Sequence, residues 1–517
     1  MSAAPRLEDR RQLDLGLVSP GSPLPAIAIA PDWKAQPRLW GHTLHPMCSY
    51  LACFPAALAH AFVARWSRPG DAVLDPFSGR GTTPLQACAE GRIGVGNDLN
   101  PFAHVLTASK VDPPSDQEAR ARLARLRIDW SLEAGEWLAL AAAAVDHRAA
   151  PVPAAGRGGG AGAVDEPLPP DVALAFHQRT LAQLLFLRSR LVLADRADRF
   201  LAAALTGILH GKSRSYLSEL MPNTFSMAPR YVRDFAGRTA FASPERDAFQ
   251  CLGRKLDRLA RDTRPPVRGV ALLGDARDAG TRMHAALRAL SLPERGRLVV
   301  TSPPYLRVVK YGYYNWLRAW FLGFSAAAID ATLDDAHRRE PYLLFLREVL
   351  ADLRAALADD AVVVLVIGDV EADRGKRLQG GVCLAEAAWE TAAEPEGYRL
   401  AGIALDPVAA RRKMTRLWGD EAGQATKTDR ILVLGASEAG RRRALAGADL
   451  PVDWSWPPRG LRPPQPAIVL PARRLDRSAR TAARRSEPIP RPAQRPAAGE
   501  PSVPDRHQPS ATLRPWS

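Results

Sequence analysis

Cysteine is scarce in this chain: five in 517 residues, Cys48, Cys53, Cys88, Cys251 and Cys383, an odd number with no Cys-x-x-Cys pair. That argues against both a disulfide framework and a cysteine-ligated zinc cluster, and it fits a reducing compartment. The ten histidines show no metal-ligand spacing, so no metal is expected. No apolar run reaches the roughly 18 residues a membrane helix needs. Met1 is followed by polar and charged residues, not by a basic-then-apolar leader. A soluble, cytoplasmic protein with no membrane association is therefore expected. Neither an internal repeat, nor an RNA-binding module, nor a nuclease signature is visible.

What the chain has in excess is positive charge. The net charge is +15 and the pI is near 10.0, which suggests a polyanionic partner; a GC-rich coding sequence that favours arginine gives the same excess. The charge is uneven. From Ala436 to Ser517 there are 15 Arg against 7 Asp plus Glu, so more than half of the excess sits there.

Residues 1–35 are Pro-rich and aperiodic and read as a flexible segment. From about Trp40 to Pro113, FPAALAHAFVARW has helical spacing, DAVLD and RIGVGND read as short strands, and TTPLQACAEG reads as a helix closed by Gly91. Strand, glycine turn, helix, strand is the opening of a doubly wound α/β sheet. Residues 116–149 and 171–210 are Leu/Ala/Arg-rich with helical spacing, PVPAAGRGGGAG between them suits a flexible loop, and an amphipathic helix covers about 244–262. Strands then resume: GVALLGD, RLVVTS, AVVVLVIGD, YRLAGIAL and RILVLG. The gap between the second and third strands is far beyond an ordinary connection, so a helical subdomain is expected there. Beyond Gly435 the Pro/Arg/Ala-rich chain is expected to stay disordered. The resulting plan has a flexible segment 1–35, a catalytic α/β domain in two parts (36–113 and 266–435), a helical insertion 114–265 and a disordered tail 436–517.

Two strings carry the chemistry. In Asp75-Pro76-Phe77-Ser78-Gly79-Arg80-Gly81-Thr82-Thr83 the glycines let backbone approach a ligand with no β-carbon in the way. A dinucleotide fingerprint would want a third Gly or Ala at position 84, where this chain has Pro84. Asp98 ends the next strand, where a carboxylate accepts hydrogen bonds from both ribose hydroxyls. Asp275, ending GVALLGD, is similarly placed, either for an adenine amine or as a helix cap. The second string is Thr301-Ser302-Pro303-Pro304-Tyr305. An exocyclic amine is a poor nucleophile because its lone pair is delocalised into the ring. An enzyme must draw its hydrogens toward acceptors, and the Ser302 hydroxyl and Pro303 carbonyl are such acceptors, held by successive prolines that cannot donate. Tyr305 offers a face on which a base stacks. Tyr311, Tyr313 and Tyr314 follow and suit a pocket wall, whereas Trp316, Trp320 and Phe321 have core spacing. Arg307, Lys310 and Arg411-Arg412-Lys413 are candidate phosphate contacts.

DPFSGRGTT resembles the cofactor motif of the cytosine-N4 and adenine-N6 DNA amino-methyltransferases, and TSPPY resembles their catalytic motif. His45-Pro46 is similar to the His-Pro segment that helps hold the methionine end of the cofactor in that family. The resemblance covers about residues 40–113 and 269–435. It implies a Rossmann-like methyltransferase fold, S-adenosyl-L-methionine as cofactor and DNA as partner, with possible restriction or defence-system partner proteins. Carried over by residue, it implies cofactor contacts at His45, Asp75, Phe77, Gly79, Gly81, Thr82 and Asp98, and catalysis at Ser302, Pro303, Pro304 and Tyr305. Two features depart from the pattern: the catalytic string follows the cofactor loop, where many relatives have it first, and Arg80 stands where a small residue is usual. Ser302, in place of the Asp or Asn typical of adenine-N6 enzymes, favours cytosine-N4. The alternatives are an adenine-N6 enzyme, an RNA base methyltransferase and a non-catalytic DNA-binding relative. Within the insertion, Ser213, Arg214, Tyr216, Asn223 and Arg230 are of the kind that read or support bases; a helical brace is the other reading of that region.

Overall fold

Parallel strands covered on both faces read as near-continuous apolar runs, and the runs found above become the centre of one sheet. The computed structural model describes residues 24–51, 53–147, 151–152, 166–221, 229–239, 241–304, 311–332, 339–368, 383–407 and 428–457. Seven strands, β1 (Ala72–Asp75), β2 (Ile93–Asp98), β3 (Val270–Leu273), β4 (Gly296–Thr301), β5 (Leu357–Gly368), β6 (Arg399–Pro407) and β7 (Thr428–Gly435), lie in the order β3-β2-β1-β4-β5-β7-β6. All neighbours from β3 to β5 are parallel, and β7 runs antiparallel to both β5 and β6. The expected parallel-dominated, Rossmann-like α/β fold is the observed one.

This order fixes where a ligand binds. From β1 the chain steps outward to β2 and β3, then returns to the other side of β1 with β4, so the winding reverses between β1 and β4. Crevices outside the carboxyl ends of strands at such a reversal are the ligand sites of open α/β sheets. The glycine loop leaves β1 and the Ser-Pro-Pro string leaves β4. They are neighbours in space although more than 200 residues apart in sequence.

Helices α1 (Ala56–Trp66), α2 (Thr82–Ala89) and α3 (Pro101–Val111) flank the first strands. One layer is a core in which Phe62, Trp66 and Trp33 meet Val73, Leu298, Val300, Val364 and Val433. The insertion supplies α4 (Asp116–His147), α5 (Pro170–Ala175), α6 (Gln178–Arg190), α7 (Arg196–Thr206), α8 (Pro229–Thr239) and α9 (Ala248–Leu259). The run read as helical over 171–210 is broken where Phe176 and Leu191 take extended backbone, and Asp195 then caps α7. Instead of closing a core of its own, the insertion shares one: Phe186, Phe200, Leu205 and Phe249 pack in the same cluster as Leu85, Phe102 and Leu106 of α2 and α3. After β3 come α10 (Ala279–Ala289), α11 (Tyr311–Tyr314), α12 (Trp316–Leu322), α13 (Ala326–Thr332), α14 (Arg339–Leu353) and α15 (Leu384–Ala387). Trp316, Trp320 and Phe321 of α12 are buried in the insertion's cluster, as their spacing predicted. Arg318 and Arg188 bind across that contact to the carbonyls of Thr206 and Trp320. No helix of the described residues is long and apolar enough to cross a membrane.

Both ends of the plan need correction. In the segment expected to be flexible over 1–35, Ala26 bridges Ile403 of the edge strand β6, and Ile27, Ile29 and Trp33 are buried. Residues 1–23 lie outside the described residues. In the segment expected to be disordered over 436–517, α16 (Glu438–Ala448) is capped by Ser437 and packs on β5, β7 and α1. Composition missed it because its contact face is made of small residues. Gly440 and Gly447 bring the helix so close that a β-carbon would run into the Ala361 carbonyl in one case and the Trp66 indole in the other. Trp454 then packs against Trp40 and His60. Residues 458–517 lie outside the described residues.

Gly447→Leu, which overpacks the α16 contact with Trp66, should therefore lower stability by about 1–3 kcal/mol. Truncation after Gly435 should lower it further, and truncation after Pro457 should leave the melting transition in place. Thermal denaturation of the three proteins checks this; equal melting temperatures for full chain and Gly435 truncation would contradict it.

Candidate active site

The loop after β1 turns on two glycines with left-handed backbone, Gly79 (φ +51°) and Gly81 (φ +76°). Gly81 caps α2, and a β-carbon there would sit 2.8 Å from Thr107 Oγ1. The Gly79 N–H donates to Asp98 Oδ2 at 2.7 Å and the Asn100 N–H to Asp98 Oδ1 at 2.9 Å. The carboxylate at the end of β2 is thereby locked against the glycine loop. Burial pushes Asp98 up to about 6, with the N–H groups of Asn100, Gly79 and Leu99 opposing it. Asp75 is also buried and is pushed up to about 7 by desolvation, against hydrogen bonds from Thr301 and Phe77. Thr301 Oγ1 donates to Asp75 Oδ1 at 2.6 Å, a direct tie between the strand of the catalytic string and the cofactor loop. Thr83 Oγ1 adds a second, to the Val300 carbonyl at 2.9 Å. Thr82 is buried at the start of α2, and the half-buried Phe77 ring lies 5.8 Å from Phe345.

His45 is buried on a short turn, residues His45–Met47. Gln86 Nε2 donates to Glu90 Oε1 at 2.7 Å, which aims the Gln86 carbonyl at His45 Nε2, 2.9 Å away. His45 Nε2 therefore carries the proton and, among the described residues, Nδ1 is a buried acceptor with no donor. Burial holds the imidazole well below its usual range, so it is neutral at pH 7.

Ser302 donates to the Val366 carbonyl of β5 at 3.1 Å, which fixes its rotamer and leaves the oxygen's lone pairs to accept. Pro303 is buried and Pro304 half-buried. Tyr305 lies outside the described residues, as do Arg307, Lys310, Asn223 and Arg411 to Lys413. Of the two readings open for Asp275, the cap is the one occupied: it accepts from the Arg277 N–H at 2.9 Å and its other oxygen pairs with the Arg277 guanidinium at 2.8 Å. Arg214 is exposed, Tyr216 is half-buried, and Arg230 is exposed and pairs with Asp234. The structure thus gathers His45, Asp75, Gly79, Gly81, Thr82, Asp98 and Ser302 at one edge of the sheet.

Three residues were not singled out from sequence. Tyr50 packs its ring over Gly79, takes a hydrogen bond from Asn100 Nδ2 at 3.0 Å and stacks on Tyr311 at 5.6 Å and 22°. It links the cofactor loop to the segment after the catalytic string. Thr301 was read as part of the strand, not as a partner of Asp75. Lys110 is fully buried beneath the loop. A lysine in the otherwise apolar run of α3 was the one available signal.

Residues 32–108 match the family model described as DNA methylase. Over 70 residues the chain is 41% identical to the Type II methyltransferase M.SmaI of Serratia marcescens, covering 13% of this chain and 24% of that protein. The chain thus spans about a quarter of the length of the curated relative it matches. Among solved structures, TrmN from Thermus thermophilus aligns at 12% identity, covering 75% of this chain and 51% of that one, with a TM-score of 0.26. The rRNA methyltransferase aviRa from Streptomyces viridochromogenes aligns at 12% identity over 78% and 91%, with a TM-score of 0.28. Likenesses that low carry no argument. The donor set at this edge fits S-adenosylmethionine, the cofactor that the motif resemblance implies. Asp98 offers carboxylate oxygens for hydroxyls, the left-handed glycines leave the loop bare of side chains, and His45 Nδ1 is an acceptor awaiting a donor.

Ribose hydroxyls donate best to an ionised carboxylate, so affinity for S-adenosylmethionine should fall as pH drops through about 6 and Asp98 takes up a proton. Asp98→Asn should bind weakly and lose that pH dependence. Calorimetry from pH 5 to 8 measures it; wild-type affinity that is flat across the range would contradict the assignment. The same two raised carboxyls make the native state bind more protons than the unfolded chain between about pH 4 and 7, so their contribution to stability falls as pH rises through that window.

Proposed function

We propose that this chain is a DNA amino-methyltransferase that moves a methyl group from S-adenosylmethionine to the exocyclic amine of a base in DNA, with cytosine N4 the favoured target. The observation that carries the reading is the adjacency of the glycine loop and the Ser-Pro-Pro string across β1 and β4. Bound S-adenosylmethionine supplies a methyl on a sulfonium. The chain's own residues do the rest by position. Ser302 Oγ and the Pro303 carbonyl accept hydrogen bonds from the target amine, drawing its hydrogens aside so that the lone pair leaves conjugation and points at the methyl carbon. Transfer would leave an extra proton on the amine, which Ser302 Oγ and the Pro303 carbonyl would hold by hydrogen bonds until it passes to water. The base reaches the site only by leaving its stack, at a cost of roughly a few kcal/mol.

Ser302 supports cytosine N4 over adenine N6. The uneven excess of arginine supports a polyanionic substrate. Restriction or defence-system partner proteins and a cytoplasmic location belong to the same reading. The insertion is proposed as the target-recognition region, because α12, just beyond the catalytic string, packs against α6 and α7.

Ser302→Ala should bind S-adenosylmethionine normally and methylate about 10²–10³ times more slowly, the loss of one transition-state hydrogen bond. Single-turnover transfer of a labelled methyl, with the modified nucleoside identified by mass spectrometry, is the test; an unchanged rate, or a product other than an N-methylated amine, would overturn the reading. Arg214→Ala should relax or abolish target choice at unchanged cofactor affinity. Methylated-site sequencing that returns the same motif at the same density would remove recognition from this part of the insertion.

A further inference from the structure

Lys110, on α3, is fully buried, and its ammonium faces backbone carbonyls only: Arg80 of the glycine loop at 2.6 Å and His45 at 3.5 Å. Among the described residues it makes no ion pair. A second lysine, Lys255 of α9, is nearly as buried and donates to the Pro46 carbonyl at 3.2 Å. The groups facing Lys110 are Arg80 from the loop, Lys255 from α9, and Cys48, Cys53 and His45 from the segment before α1; none is a carboxylate. Two lysines thus lie under a His-Pro turn and a glycine loop, and among the described residues neither has an ion pair. A buried ammonium with no counter-charge costs several kcal/mol, so burial favours the neutral amine until an anion arrives beside it. The third observation is the donorless His45 Nδ1 in the same place. A lysine that bonds only neutral carbonyls and, on the residue whose carbonyl it reaches, an imidazole nitrogen with no donor among the described residues match the two ends of an α-amino acid: carboxylate to Lys110, ammonium to His45.

We propose that Lys110 is the counter-charge for the carboxylate at the methionine end of bound S-adenosylmethionine, with His45 Nδ1 receiving its ammonium. This rests on the cofactor assignment above and extends it to a residue outside both motifs. Burial, with Arg80 adding to it, lowers Lys110 to about 7. A carboxylate arriving beside it raises that value again, so binding takes up a proton. At pH 8 Lys110 is mostly neutral in the free protein, Asp75 and Asp98 are mostly ionised and His45 stays neutral; Lys255, lowered to about 8, and the ligand's own α-amino group also titrate there, so the uptake that belongs to Lys110 is the part its substitution removes.

The test is titration calorimetry of the full chain at pH 8 in two buffers of different ionisation enthalpy, with S-adenosylmethionine and with its decarboxylated form. Wild type should take up more protons with the first than with the second, and prefer the first by about tenfold or more, the size of a hydrogen bond to a charged group. Lys110→Met should lose that preference and the larger part of the extra uptake; an unchanged uptake and preference in this variant overturn the proposal. Cofactor binding without proton uptake and without preference for the carboxylate form overturns the proposal while leaving the cofactor assignment standing. Failure of wild type to bind either form overturns both. If Lys110→Met does not fold, Lys110→Arg decides: it keeps the charge without a titrating proton, so it should keep the carboxylate preference and lose the same part of the uptake, and wild-type uptake in it overturns the proposal.

Discussion

The site depends on the pairing of β1 with β4. Each strand alone ends in a loop with half of a chemistry, one bare of side chains and one rich in fixed acceptors. Parallel pairing brings both ends to the same edge, and the hydrogen bond from Thr301 to Asp75 locks them together at the point where they leave the sheet. The sheet reverses its winding there, which is where open α/β sheets leave a crevice for a ligand. An insertion between β2 and β3 is compatible with this because it enters and leaves away from the β1–β4 seam.

Burial supplies the second layer of control. The carboxyls of Asp75 and Asp98 are raised and the side chains of His45 and Lys110 are lowered chiefly for one reason, burial of the group itself, which disfavours its charged form. In such surroundings a polar group needs a partner or a compensating role. Asp98 has backbone N–H groups, Asp75 has Thr301, and His45 Nε2 has a chain of partners through Gln86 and Glu90 to His60. That chain reaches the segment after α16, since His60 Nε2 meets the Asp453 carbonyl at 2.9 Å. The segment composition marked as tail is therefore structurally coupled to the cofactor edge.

Much of this was legible in the sequence, and the reasons for the remainder are physical. Apolar runs and glycine turns located all seven strands, because buried parallel strands leave no room for polar residues. His45, Asp75, Asp98 and Ser302 were legible because their types are tied to motif positions. Tyr50, Thr301 and Lys110 were not, since their partners lie across the sheet and only the folded chain joins them. Helix α16 was missed because glycine and alanine pack by closeness and carry little hydrophobic signal. Asp275 was open between two roles, and the Arg277 pair that occupies it lies two residues away, too common a spacing to be a signal.

The most direct measurement of the central claim is a crystal structure of the chain with S-adenosylhomocysteine. The account places the ribose on Asp98, the nucleoside against Gly79 and Gly81, and the sulfur facing Ser302 and Pro303 across the β1–β4 seam. Density for the nucleoside at another edge of the sheet, or a sulfur turned away from Ser302, would contradict it.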